Sequence, residues 1–117
     1  MLVANAIATQ QGDYTVEVQL VDPKTKENVS FTGLQWTLTD SSGTVINSRE
    51  DVSVVLTPGT DYETISLGDD DLQILTDESS KRLVQRKLVL EATYLNDAGE
   101  TENANEVLYF GLENLGL

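Results

Sequence analysis

Apolar and polar residues alternate one by one through most of this chain, a period that selects β-strands and leaves no room for a long amphipathic helix. Tyr14, Val16, Val18 and Leu20 are separated by Thr15, Glu17 and Gln19. Successive side chains of a strand point to opposite faces, so such a run offers one face to a core and one to water. Leu34, Trp36 and Leu38 repeat the pattern, as do Val52, Val54 and Leu56, and then Leu88, Leu90, Ala92 and Tyr94. Short strands are expected at Val29 to Phe31 and at Tyr62 to Leu67. Gly68-Asp69-Asp70-Asp71 interrupts the latter, and Leu72 and Leu75, three apart, predict one short helical turn within 72–78.

Turn clusters punctuate these runs. Asp40-Ser41-Ser42-Gly43, Thr57-Pro58-Gly59-Thr60 and Asn96-Asp97-Ala98-Gly99 combine residues that bond their own backbone with glycines free to take positive φ. The first predicts a hairpin, with Thr44 to Asn47 returning beside Leu34 to Leu38. Glu106 to Leu112 reads as the final strand. Leu108, Phe110 and Leu112 lie on one of its faces, Val107 and Tyr109 on the other. Apolar residues on both faces predict a central strand, or a face that a partner uses.

The sum is seven or eight antiparallel strands with at most one short helical turn, a spacing that predicts an all-β sandwich with residues 1–117 as a single domain. Hydrophobic residues make up 39% of the chain, so the core is expected to be thin, held between two sheets. The phase shared with Leu34 and Leu38 assigns Trp36 to that core. Tyr94, in phase with Leu88 and Leu90, is expected inside with its hydroxyl on a nearby backbone group.

Composition removes several chemistries. The chain contains no cysteine and no histidine, so it has no disulfide, thiolate nucleophile or iron–sulfur ligand, and lacks the side chain that titrates near neutrality. A serine nucleophile would have only lysine as its base. Twenty acidic residues against seven basic ones give a net charge of −13, which repels nucleic acid and anionic lipid. Neither nucleic acid nor a membrane is expected as a partner, and no run approaches the length of a membrane span. The mildly apolar start, Met1 to Ala8, lacks the charged and long apolar regions of a signal peptide.

Two charged clusters remain as candidates. Asp69, Asp70 and Asp71, with Asp61, Glu63, Asp77 or Glu78 nearby in sequence, offer oxygens for Ca²⁺. Consecutive residues seldom converge on one ion, so a solvated turn or a helix cap is the expected role and no metal is assigned. Lys81, Arg82, Arg86 and Lys87 hold four of the seven cations. They are expected to neutralise neighbouring acids across strands or to mark an edge, or else to serve as a protein-contact patch that meets Asp69 to Asp71 of a second copy in a homo-oligomer. No catalytic residue and no cofactor are assigned.

Two segments carry a resemblance. Leu34-Gln35-Trp36-Thr37-Leu38 resembles the strand that holds the core Trp of immunoglobulin-like sandwiches, and Leu88 to Tyr94 with Asn96-Asp97-Ala98-Gly99 resembles the last hairpin of that fold. The stretches 36–47, 65–72, 88–94 and 112–115 together resemble small immunoglobulin-like proteins encoded among the structural genes of tailed bacteriophages and prophages. The resemblance implies a non-enzymatic component that acts through contacts with other virion or assembly proteins. It places the protein in the host bacterial cytoplasm during assembly and then in the virion. The alternative is an immunoglobulin-like binding module of a bacterial surface or carbohydrate-handling protein.

Overall fold

The alternating runs at Tyr14 to Leu20, Leu34 to Leu38 and Leu88 to Tyr94 become full strands because their polar residues find water while their apolar ones meet those of a facing sheet, whereas in the run Val52 to Leu56 only Val52 and Ser53 are strand. The computed structural model describes residues 2–8, 14–22, 25–57, 62–73, 75, 78, 80, 83–96 and 98–113; for 3–8, 69, 70 and 113 it describes the backbone alone. The strands are β1 (Leu2–Ala8), β2 (Tyr14–Val21), β3 (Asn28–Val29), β4 (Gly33–Asp40), β5 (Val52–Ser53), β6 (Tyr62–Leu67), β7 (Leu83–Leu95) and β8 (Thr101–Glu113).

They form two antiparallel sheets. In the first, β2 is central: β1 pairs along one flank, and β6 followed by β3 along the other. The second has the order β5-β4-β7-β8. The result is an all-β sandwich. Its inner residues form one cluster that includes Val16, Val18 and Leu20 of the first sheet and Leu34, Trp36, Leu38, Leu88 and Leu90 of the second. Burying one such leucine stabilises the fold by about 1.5–3 kcal/mol. Tyr14 stacks on Phe110 across the two sheets, with centroids 4.5 Å apart.

The two glycine turns share one device. Asp40 Oδ1 accepts the N–H groups of Ser42 and Thr44, and Asn96 Oδ1 those of Ala98 and Glu100. Gly43 and Gly99, at φ 96° and 78°, close each turn. The second turn joins β7 to β8, paired over thirteen residues each. At roughly 3.4 Å per residue that hairpin runs about 44 Å, and it accounts for the elongated 53 × 27 × 24 Å shape.

Several expectations change. β1 was not foreseen. A 3-10 turn lies at Asp69–Leu72, just before the expected span, and within that span Glu78 also has 3-10 geometry, its N–H donating to the Leu75 carbonyl. The return of the first hairpin runs beside β4 as foreseen, but as a broken strand. Ile46 donates its N–H to the Leu38 carbonyl, while the Leu38 N–H donates to the Arg49 carbonyl, so Asn47 and Ser48 are extruded. Both take left-handed backbone, at φ 53° and 55°. Pairing with β4 resumes only at Val52 and Ser53. β8 is an edge strand and not a central one. The hydroxyl of Tyr94 donates to the Glu102 carboxylate at 3.0 Å, not to backbone.

Candidate functional site

The acidic turn after β6 is held inward. The Asp71 carboxylate, 3% exposed, accepts from Asn47 Nδ2 at 2.9 Å, Arg49 Nε at 2.7 Å and the Gly68 N–H at 3.3 Å. Burial works to raise its pKa, but the hydrogen bonds from Arg49, Asn47 and Gly68 outweigh burial and leave it lowered. Arg49 also lies over the Trp36 ring, 5.8 Å from its centroid. Asp71 is therefore a clamp that binds the extruded loop after β4 to the 3-10 turn. The side chains of Asp69 and Asp70, and Asp61 and Asp77 as a whole, lie outside the described residues. Of the other acids read as calcium helpers, Glu63 is buried and accepts from the Thr57 N–H at 2.6 Å. Glu78 is buried against Arg86. Among the described residues no group of three acids is gathered for a metal ion.

The basic cluster is not one surface patch. Arg86 shares the inward phase of Val84, Leu88 and Leu90 and is 0% exposed. Its Nη2 and Nη1 reach the two Glu78 oxygens at 2.7 and 2.8 Å, and the carbonyls of Gln73 and Gln85 accept further bonds. A cation in the interior cannot meet a partner, so the contact role expected of Arg86 is withdrawn. It instead straps the segment after the 3-10 turn onto β7. Lys87 points outward, with its ammonium 5.9 Å from the Tyr109 ring centroid. Lys81 and Arg82 lie outside the described residues.

The outer face of the β5-β4-β7-β8 sheet carries a polar row at one end and apolar side chains at the other. Ser53, Gln35, Glu91 and Asn105 are cross-strand partners in one row, with Gln35 Nε2 donating to Glu91 at 3.2 Å. Thr93 and Asn103 form the next row. These six residues line much of a shallow groove of about 510 Å³. Further along β7 and β8 the face turns apolar. Val89 opposes Val107, Lys87 opposes Tyr109, and Leu83 leans over Gly111. Tyr109 is 62% exposed and Leu83 60%. The sequence places Val107 and Tyr109 on the face opposite Leu108 and Phe110, which fits the second of its two readings, a face that a partner uses. It had not singled out the polar row, whose signal is the outward phase shared by Gln35, Glu91 and Asn105.

No family model, curated protein or solved structure matches the chain significantly.

Proposed function

We propose that this protein is a non-catalytic structural or assembly component of a phage or prophage particle, which works by presenting the outer face of β7 and β8 to neighbouring proteins. The observation that carries this reading is that Leu83, Val107 and Tyr109, three of the six large apolar residues left exposed among the described residues, share the outer face of one long hairpin in a strongly acidic chain. Apolar surface concentrated on one rigid face marks a contact site more than a reaction centre. Two further points support it. The strand order β1-β2-β6 against β4-β7-β8 is compatible with an immunoglobulin-like sandwich and supports the resemblance of the Trp36 segment. The described carboxylates Asp71, Glu63 and Glu78 are each tied to donors of the fold and not gathered around a cleft. Other virion or assembly proteins are the partners, met in the host cytoplasm and retained in the virion. Mass spectrometry of purified particles and assembly intermediates tests this, and absence of the chain from all of them refutes it.

The groove supports a second reading, that of a binding module for neutral carbohydrate. Asn103, Asn105, Gln35 and Glu91 offer amides and a carboxylate to hydroxyl groups, while the net charge of −13 disfavours an acidic glycan. Binding on a glycan array that Asn105→Ala abolishes would favour it over the contact reading.

A further inference from the structure

β8 has the composition of a central strand and the position of an edge strand. All thirteen of its residues pair with β7, and among the described residues no strand pairs with its other flank. β1 of the facing sheet comes near without sharing a ladder with it. The Val107 N–H points away from β7 and donates to the carboxylate of its own neighbour Glu106, at 3.1 Å. In an antiparallel strand N–H and C=O of one residue point to the same side, and the side alternates. The backbone groups of 103, 105, 107, 109 and 111 therefore all face the open flank.

Edge strands are ordinarily blunted by proline, lysine, a bulge or an inward charge. β8 has no proline, lysine or arginine, and its register with β7 is unbroken. Its carboxylates are Glu102, Glu106 and Glu113, and Glu102 is bound by Tyr94 and Asn96. Glu106 is thus the mid-strand charge, folded back over the edge.

We infer that β8 pairs with β8 of a second copy, antiparallel, about a two-fold axis at Val107. This deepens the contact reading and rests on it, the second copy being one of its partners. The register follows from strand length and charge: Val107 is the midpoint of Thr101–Glu113, so an axis there gives the longest overlap. An axis at residue 106 sets Glu106 against itself. An axis at Val107 sets Glu106 against Leu108, Glu102 against Leu112, and Asn105 against Tyr109. Every outward-facing backbone group then has a mate, roughly ten hydrogen bonds in all, and the two β5-β4-β7-β8 sheets become one continuous sheet. An isologous contact of this kind closes as a dimer and does not propagate. Glu106 must release the Val107 N–H for the strands to join.

The absence of cysteine makes the test clean. Val107→Cys introduces a single thiol at the axis, where directly paired residues lie about 5.5 Å apart, within disulfide reach. It is expected to cross-link to dimer at least tenfold faster than Val55→Cys, whose site is 91% exposed but remote from β8. Since each copy carries −13, the wild-type dimer seen by sedimentation should strengthen as salt rises from about 20 to about 500 mM, where screening shortens from roughly 20 to 4 Å. Val107→Pro removes an N–H that β7 does not use, so the monomer should fold while dimerisation weakens at least tenfold. A wild-type chain that stays monomeric at high salt, or Cys variants that cross-link equally, overturns the self-pairing. Presence in particles then still decides the contact reading separately.

Discussion

Exchanging Glu78 for Gln keeps shape and removes the charge that faces Arg86. The arginine side chain is 0% exposed and its carboxylate 10%, so water cannot replace the lost partner. Breaking a buried pair from one side costs about 3–5 kcal/mol. Arg86 retains the carbonyls of Gln73 and Gln85, and the Gln amide oxygen still accepts one bond, which places the loss near the lower end, about 3 kcal/mol. With an unfolding entropy near 2.1 cal/mol/K per residue, 117 residues give roughly 0.25 kcal/mol/K, and the melting temperature should fall by about 12 °C. Urea unfolding followed by Trp36 fluorescence measures this directly, since the chain has one tryptophan and it lies in the core. The midpoint should drop with an unchanged slope. Combining Glu78→Leu with Arg86→Met removes both charges and should restore stability to within about 1 kcal/mol of the parent. A loss below about 1 kcal/mol for Glu78→Gln, or a double variant no better than the single, would refute the claim that an interior charge pair governs this site.

Asp71→Ala leaves Asn47, Arg49 and the Gly68 N–H without their acceptor; a loss of about 2–4 kcal/mol is expected, with faster amide exchange across 47–51. Acid acts through the same groups. Glu78 is held below the ordinary carboxylate range by its Arg86 hydrogen bonds, and Asp71 is also lowered. Groups with depressed folded pKa values contribute stability above their unfolded values, near pH 4, and lose it as pH falls through the folded ones. Melting temperature should therefore hold from about pH 6 to 5 and decline below about pH 4, less steeply in Glu78→Gln. Gly33→Ala brings a Cβ to 2.7 Å from Thr93 Oγ1 and should cost about 1–3 kcal/mol, most of it recovered by adding Thr93→Ala.

Much of the sandwich was legible because alternation reports burial directly. Val16, Val18, Leu34, Trp36, Leu38, Leu88 and Leu90 all lie inside, as their phase required. The same rule placed Arg86 inside, since it stands two residues before Leu88. Its charge pulled the reading to the surface, and its acid partner lies in a segment with no periodic signal. The extruded Asn47 and Ser48 were illegible for another reason. Asn47 and the following Arg49 are held by Asp71, more than twenty residues away in sequence, a contact that local propensity does not encode. β8 misled because its outward Val107 and Tyr109 mimic a strand buried on both faces. The groove was hidden because Gln35, Glu91 and Asn105 meet only when three strands are aligned.

The pairing of β4 with β7 also sets the order in which the molecule can assemble. Gln35 meets Glu91 across 56 residues of chain, so that ladder must wait until most of the intervening sequence has been made and its loop entropy overcome. The β7–β8 ribbon closes through a short turn and needs no distant segment. It is the natural first structure, on a timescale of about 1–10 μs, whereas joining it to β4 belongs to the slower regime of roughly milliseconds to seconds seen for non-local sheets. During that interval the apolar inner side of the ribbon, Leu88, Leu90 and Phe110, stands uncovered, and the acidic charge of the chain is what keeps such early ribbons apart from one another.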